Sequence, residues 1–324
     1  MFARIGKAIL TLGAAAATAF ALPASAQDDT AQVNTYSFTQ DYEPSPAIWR
    51  LADEDTTIYM FGTIHVLPEG FRWRSPEFDA IVEEAETLVV ETSDADSFSM
   101  LNAVHPKVNR LTTSSGSISA SLSVANQQRW REFIETTGAP FTMVDQMPVL
   151  VALLSYALTP VEDGSSFEFG VETVLERAFA EAGKPVESIE NFGHVYYQIV
   201  REPREPLIAD LERQLTQWGG KDAAGLFDPS TDNPTGDEYW SMEHAWARGE
   251  VQDDFDLGFG QGAVGEAFHD ILIVRRNREW AEWLEERLEQ PGTILLAVGA
   301  GHFEGSDSVL RFLVDRGIPA ERIH

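Results

Sequence analysis

Two apolar runs of strand length, far apart in the chain, each end in a Gly-x-x-His motif and constrain the fold more than any other feature. The first, residues 58–65, ends at His65, and the second, residues 295–302, ends at His302. A buried strand of this kind places an imidazole at its carboxyl end, the edge at which open α/β sheets bind ligands. The pattern therefore predicts that both strands lie in one sheet and that the rest of the chain brings their ends together.

The same spacing has a simpler interpretation, which the motifs alone leave open. Gly62 and Gly299 would then only permit a tight turn from strand to helix, and each histidine would be a packed polar residue with a local partner. Residues of suitable chemistry at neighbouring strand ends are needed to favour a functional site over this interpretation.

Glu91 is such a residue, because it directly follows an apolar, β-branched strand pattern at residues 87–90. Two imidazoles and a carboxylate are typical of hydrolytic metal sites, where the ion lowers the pKa of a bound water toward neutrality. Glu91 could be a metal ligand or the general base, and the simpler alternative is a helix cap or a surface charge. A shared ion requires strands 57–62, 87–90 and 293–298 to lie side by side with the same polarity. We expect Glu91→Gln to reduce activity with little loss of stability.

Five stretches match, in order, the motifs of one known family. They are residues 61–68 (Phe-Gly-Thr-Ile-His-Val-Leu-Pro), 89–92 (Val-Val-Glu-Thr), 170–190, 275–280 (Arg-Arg-Asn-Arg-Glu-Trp) and 298–305 (Val-Gly-Ala-Gly-His-Phe-Glu-Gly). The chain resembles the TraB/GumN family over roughly residues 47–317. That family is grouped with the Tiki metalloproteases, the haem-binding ChaN proteins and the erythromycin esterases. The resemblance implies an active centre at His65, Glu91 and His302, which correspond to the paired motifs and the glutamate of Tiki-like members.

Arg276 and Asn277 lie inside a long helical pattern at residues 265–290. Asparagine is a poor helix former, so its position in mid-helix suggests that the side chain has a partner. The resemblance makes the pair a candidate for orienting Glu91 or the substrate. A solvated helix face is the alternative.

The sequence gives weaker support for other acids and histidines as members of the site. Glu172 and Glu190 belong to matched stretches and could line the site, but we favour ordinary exposed acids. His269 shares the helical pattern of Asn277 and could approach the site, although we favour a packed histidine. The histidines without matching context are His105, His194, His244, His269 and His324.

The first 26 residues have the pattern of a secretory signal peptide. Arg4 and Lys7 precede an apolar segment at residues 8–22, and a small-residue ending predicts cleavage after Ala26. No later stretch has the ~20 uninterrupted apolar residues of a membrane-spanning helix. The sequence therefore predicts a periplasmic or secreted protein without a membrane span.

The amino-acid composition restricts which metals and partners the chain can bind. The chain has no cysteine, so any metal must be held by His, Asp, Glu, Asn or backbone oxygen. Its 23 basic and 52 acidic residues give a net charge of −29, and such a surface repels nucleic acid and anionic lipid. The expected partners are a peptide or small-molecule substrate and a divalent ion, Mn, Co or Zn. The sequence does not determine the metal, the substrate or the oligomeric state.

The order of the elements predicts an α/β fold. Strand patterns begin and end the chain, and the middle is helical. The economical architecture is a central mixed, largely parallel sheet flanked by helices, with a helical insertion covering the strand ends. The predicted divisions are a signal peptide (1–26), a flexible lead (27–46) and one domain (47–324), with the insertion at about 124–250 and a candidate lid at 219–236.

These inferences favour an exported metal-dependent hydrolase, and the resemblance implies a peptidase. His65, Glu91 and His302 would form its metal site, with Arg276 and Asn277 in support. Two alternatives remain open. One is a non-catalytic haem- or ligand-binding protein of the ChaN type, and the other is a metal-independent, esterase-like hydrolase with a histidine as general base.

Overall fold

A computed structural model describes residues 36–93, 96, 116–157, 163–220, 223–227 and 234–324. The predicted signal peptide, His105 and part of the candidate lid lie outside these residues. Within them, no helix is both long and apolar enough to cross a membrane.

A six-stranded sheet forms the centre of the fold. Its strands are β1 (Ile48–Ala52), β2 (Thr56–Thr63), β4 (Thr87–Val90), β6 (Val186–Ser188), β7 (Gly292–Gly299) and β8 (Glu321–Arg322). They lie in the order β6-β4-β7-β2-β1-β8, with β2, β7, β4 and β6 parallel and β1 antiparallel to both neighbours. The predicted α/β fold with a mixed, largely parallel sheet is confirmed. A separate small pair consists of β3 (Leu67–Pro68) and β5 (Ser165–Ser166).

The register brings three strand ends together. Ile294 of β7 lies opposite Ile58 of β2 on one side and opposite Thr87 of β4 on the other. The predicted side-by-side, parallel arrangement of these three strands is therefore confirmed, with β7 in the middle. Because parallel strands end at the same edge, the residues that follow β2, β4 and β7 become neighbours.

The α-helices of the described residues lie around the sheet and in a separate helical part. They are α1 (Pro76–Glu84), α2 (Val124–Thr136), α3 (Phe141–Val144), α4 (Val149–Ala157), α5 (Val171–Glu181), α6 (Phe192–Val200), α7 (Arg204–Gln217), α8 (Ser241–Ala247), α9 (Ala263–His269), α10 (Arg275–Arg287) and α11 (Val309–Asp315). Residues of α1 and α5 pack with one face of the sheet, and residues of α10 and α11 pack with the other. The start of α1 agrees with its sequence signal, since Ser75 Oγ accepts a bond of 3.2 Å from the Phe78 N–H and Pro76 occupies the first helical position.

The helical insertion has an apolar core of its own. Trp130 and Phe133 of α2 belong to it, together with Phe268 of α9. Leu226 and Phe227, from the described part of the candidate lid, pack into the same core. The insertion is thus built on the long helix near the carboxyl terminus.

That long helix contains one irregular turn that the sequence pattern did not reveal. A π-helical segment, Asp270–Val274, joins α9 to α10, and the Arg275 N–H donates to the carbonyl of Asp270, five residues earlier. Such segments are frequently found at functional sites. Here the segment directly precedes Arg276 and Asn277.

The described part of the predicted flexible lead is bonded to the domain. The Tyr42 hydroxyl lies 2.7 Å from His244 Nδ1 of α8, and the Trp240 indole donates to the carbonyl of Tyr36 at 2.6 Å. The Thr39 N–H donates to Asp237 at 2.7 Å. Polar composition alone predicted a free segment, but these partners lie about 200 residues away and could not be seen locally.

Candidate active site

Side chains from four adjacent parallel strands meet at the carboxyl edge of the sheet. His65 lies just after β2, Glu91 directly after β4, and His302 in a 3₁₀ turn, Ala300–Phe303, after β7. Glu190 follows β6 in the same way. His65, Glu91 and His302 expose only 3%, 0% and 0% of their surface, so the three side chains are shielded from solvent.

His65 is held by a carboxylate from the insertion. Its Nδ1 lies 2.7 Å from Glu172 Oε1, and the Thr63 hydroxyl donates to the same oxygen. Glu172 lies in the first turn of α5 and is only 7% exposed. The interpretation of Glu172 as an ordinary exposed acid is therefore wrong. Its burial depends on a partner more than 100 residues earlier in the chain.

Gly170 allows α5 to begin directly against the first motif. A Cβ atom at this position would lie 2.0 Å from the carbonyl oxygen of His65, far inside any allowed contact. The following N–H, of Val171, donates to the carbonyl of Ile64 at 3.0 Å. Only glycine permits this approach, and the approach places Glu172 beside the imidazole.

The other nitrogen of His65, Nε2, is buried and has no hydrogen-bond partner among the described residues; the same is true of Glu172 Oε2. Donation of the Nδ1 proton to Glu172 leaves Nε2 with a lone pair. Burial lowers the pKa of His65, but the charge and hydrogen bond of Glu172 outweigh it, so the pKa is raised overall. Buried polar atoms without a partner are costly, and Nε2 is thus suited to contact a water or a substrate group.

Arg276 connects the remaining groups. Its Nε and Nη2 donate to Glu190 at 2.7 and 2.8 Å, and Nη2 also donates to Glu91. Its Nη1 donates to the carbonyl of Leu272 at 3.1 Å and lies 3.1 Å from His302 Nε2. Burial lowers the pKa of Arg276, but the charges of Glu190 and Glu91 raise it further, so the guanidinium is permanently charged.

His302 is fixed in its neutral form. Its Nδ1 lies 2.6 Å from Asn277 Oδ1, whose amide group is oriented by donation to the carbonyl of Asp307 at 2.7 Å. Nδ1 therefore carries the proton, and the Nε2 lone pair accepts from Arg276. Burial, and then the charge of Arg276, hold the pKa of His302 well below its usual value. The predicted partner of the mid-helix asparagine is thus His302.

Trp280 closes this side of the centre one helical turn after Arg276. Its indole N–H donates to Glu190 at 3.1 Å, and its ring lies 4.2 Å from that of His302. The guanidinium of Arg276 packs 4.8 Å from the indole. Glu190 is therefore a partly buried ion-pair partner, and its interpretation as an ordinary exposed acid is wrong.

The two glycines of the motifs do more than permit turns. Gly62 lies inside β2, where a Cβ atom would lie 2.9 Å from Cα of Ala300. The Gly299 N–H donates to Glu91 Oε1 at 2.8 Å. The first glycine thus lets the second motif pack against the first, and the second glycine helps to hold the carboxylate.

The donor atoms of the predicted metal ligands do not fit one shared ion in this arrangement. Glu91 accepts from Gly299 and Arg276, and both ring nitrogens of His302 have partners. Of the side-chain donor atoms of these three residues, Nε2 of His65 is the one with no partner among the described residues. In the described part of the chain, no group of three His, Asp or Glu side chains is arranged to hold a metal ion. Metal binding by His65, Glu91 and His302 stays a prediction.

The sequence indicated Glu172 and Glu190 only as the less favoured of two interpretations, and it did not indicate Trp280 as a member of the centre. Glu190 had a usable signal, because it directly follows a short run with β-branched residues at positions 186–189, as Glu91 follows residues 87–90. Trp280 had another, since it lies four residues after Arg276 and thus on the same helix face. The contact between Glu172 and His65 had no local signal.

A cavity of about 500 Å³ lies beside the turn that carries His302. His269 lines it, half-exposed and 3.2 Å from Asp307, so its interpretation as a packed histidine is wrong. Burial raises the pKa of Glu304, which also lines the cavity, to about 7. The ring of Phe255 packs against Gly301 and separates the cavity from the turn.

The remaining described histidines have other neighbours, namely His194 with Gln198, His244 with Tyr42, and His324 with Ser45.

Comparison with known proteins gives one match. A family model described as the TraB/PrgY/gumN family matches residues 47–322. No curated protein and no solved structure matches the chain.

Proposed function

The chain belongs to the TraB/PrgY/gumN family, and on that premise we propose that it is a hydrolase whose general base is His65, oriented by Glu172. The observation that supports this is the unpaired, buried Nε2 of His65, opposite an Nδ1 that bonds a carboxylate. The same orientation of a histidine by a carboxylate occurs in hydrolases that use histidine to deprotonate a nucleophile.

In the proposed reaction, Nε2 of neutral His65 accepts a proton from water while the water oxygen attacks the carbonyl carbon of an ester or amide. Glu172 stabilises the imidazolium that forms. The imidazolium then gives its proton to the leaving oxygen or nitrogen as the bond to the carbonyl carbon breaks. The products are an acid and an alcohol or amine, and His65 is neutral again.

The other residues of the centre act by position and charge. Arg276 has all its N–H groups engaged by protein acceptors, so it holds Glu91, Glu190 and His302 in place and does not bind substrate directly. Asn277 fixes the tautomer of His302.

Three finer points belong to the proposal. Peptides are the first substrate class to test, because the resemblance to the Tiki metalloproteases implies them. Export follows from the predicted signal peptide, and mass spectrometry of periplasmic protein should find a chain beginning at Gln27. Metal analysis of that protein tests whether it holds the Mn, Co or Zn ion that the sequence predicts, and absorbance of haem in it would favour the ChaN-like alternative.

The experiment compares the mature protein with His65→Ala and Glu172→Gln on two probes, a fluorogenic peptide library and p-nitrophenyl esters of short acids. Loss of a general base costs roughly 10²–10⁴-fold in rate, so we expect His65→Ala to lose about that much. His194→Ala, at an exposed histidine, is the matched control and should behave like the parent. A parent that cleaves neither probe, or a His65→Ala variant that is as active as the parent, contradicts the proposal.

A further inference from the structure

Arg276 uses every hydrogen-bond donor that a guanidinium has. The five N–H groups have five acceptor contacts: two with Glu190, one with Glu91, one with the carbonyl of Leu272 and one with His302 Nε2. The side chain of Arg276 is only 3% exposed. Such a group is fixed in place and has no donor left for a substrate.

The charge of the guanidinium is needed where it lies. Glu91 is fully buried and the side chain of Glu190 is 9% exposed, and buried carboxylates require a nearby cation or must be protonated. His302 is neutral, so Arg276 supplies the positive charge between them. A divalent ion bound to Glu91 and His302 would supply positive charge at the same position, so it would lie against the guanidinium.

We propose that Arg276 is the built-in cation of this centre in place of a divalent metal, and that its removal converts Glu91, Glu190 and His302 into a metal site. These three side chains offer two carboxylates and an imidazole nitrogen, a donor set suited to Mn²⁺, Co²⁺ or Zn²⁺. Removal of the guanidinium frees the oxygens and the Nε2 lone pair that it now engages. This inference concerns the cation alone and does not depend on hydrolytic activity.

The test measures metal in the purified mature chain after incubation with Mn²⁺, Co²⁺ or Zn²⁺ in turn and removal of free ion by gel filtration. We expect the parent to retain no stoichiometric metal and R276A to retain about one ion per chain. R278A is the matched control, because Arg278 is exposed on the same helix, and it should behave like the parent. In the triple variant R276A/E91Q/H302A the bound metal should be lost again.

R276A leaves two carboxylates without their cation and can fail to fold without metal. In that case, R276A should refold only when one of the three ions is added, as measured by circular dichroism. That result would also show that the variant binds a metal. The melting temperature of the parent should not rise with added ion or fall with chelator, because a folded state that binds no ion gains no stability from one. A parent that holds one ion through His65, Glu91 and His302 overturns the proposal. An R276A chain also overturns the proposal if it binds none of the three ions when folded, or if it fails to fold and none of the three ions restores folding.

Discussion

Glu91 shows how strongly a single residue of the centre is tied to the fold. Its carboxylate is fully buried and accepts from the Gly299 N–H and from Arg276. The sequence suggested a pocket residue whose substitution would leave stability almost unchanged. The structure makes it one half of a buried ion pair, and removal of one partner from such a pair typically costs about 3–5 kcal/mol.

We therefore predict that Glu91→Gln lowers the free energy of unfolding by about 3 kcal/mol, because Arg276 keeps its charge but loses one of two compensating carboxylates. Urea unfolding measures the change. Glu187→Gln, at an exposed position of β6, is the control and should change stability by less than about 0.5 kcal/mol. Equal effects of the two substitutions would mean that the ion pair contributes nothing to stability.

A second prediction at this scale concerns the dyad of His65 and Glu172. A general base works when deprotonated, so activity should rise as the pH passes upward through the pKa of His65, which lies above its usual 6.5. Glu172→Gln removes the charge that raises this pKa, so the rising limb of the pH–rate profile should move to lower pH and the maximum rate should fall. The measurement is the pH–rate profile of the parent and of Glu172→Gln on the same ester probe, which shows whether the rising limb shifts. A limb that does not move would show that another group is the base.

At the scale of elements, the contact between α5 and the first motif depends on Gly170. We predict that Gly170→Ala displaces α5 from the carbonyl of His65, because the added Cβ would lie 2.0 Å from that oxygen. The expected loss is about 2 kcal/mol or more in the free energy of unfolding, together with reduced activity as Glu172 moves. Gly219→Ala adds a methyl group with no atom of the structure within 4 Å and is the control. Comparable unfolding midpoints for the two variants would contradict this account.

Elements whose signals are local were predicted well from the sequence. The pattern at residues 87–90 gave strand bounds that agree with β4, because a short apolar, β-branched run is contained within the segment itself. The joining of β2 to β7 also followed from sequence, since both runs are continuously apolar and both end at a histidine. The π-helical segment Asp270–Val274 was missed, because its residues fit an ordinary amphipathic helix.

The site was predicted only in part, for a different physical reason. Residues at strand ends were found because the topology places all such ends at one edge. The partners of these residues come from distant elements, as Glu172 does from α5 and Glu190 from the segment after β6. An acid is buried only when a cation or donor lies opposite, and that partner is not encoded in the neighbouring sequence.

At the scale of the whole molecule, the two ends of the described chain close on each other. β8 pairs with β1 at the edge of the sheet, and Trp49 of β1 stacks 4.8 Å from Phe303, which directly follows His302. The turn that holds His302 therefore packs against β1, and β8 pairs with the far side of β1 at the edge of the sheet.

Glu304, which lies directly after this turn, makes the stability of the folded chain depend on pH. Its pKa is about 7 in the folded chain because of burial, against 4.5 when it is free of the fold. The folded state therefore binds the proton more tightly than the unfolded state, and the contribution of Glu304 to stability is full below pH 4.5 and falls as pH rises toward 7. The shift corresponds to roughly 1–3 kcal/mol lost by pH 8.

We predict that Glu304→Gln, which cannot ionise, is more stable than the parent at pH 8 and similar to it at pH 5. Urea unfolding at both pH values gives the free energy of unfolding of each protein. Subtracting the value of the parent from that of the variant at the same pH cancels the contribution of other titrating groups, such as His302, because both proteins contain them. Glu266→Gln, at an exposed position of the same cavity, is the control and should follow the parent at both pH values. A Glu304→Gln protein whose stability changes with pH in parallel with the parent would show that Glu304 ionises normally and that burial does not raise its pKa.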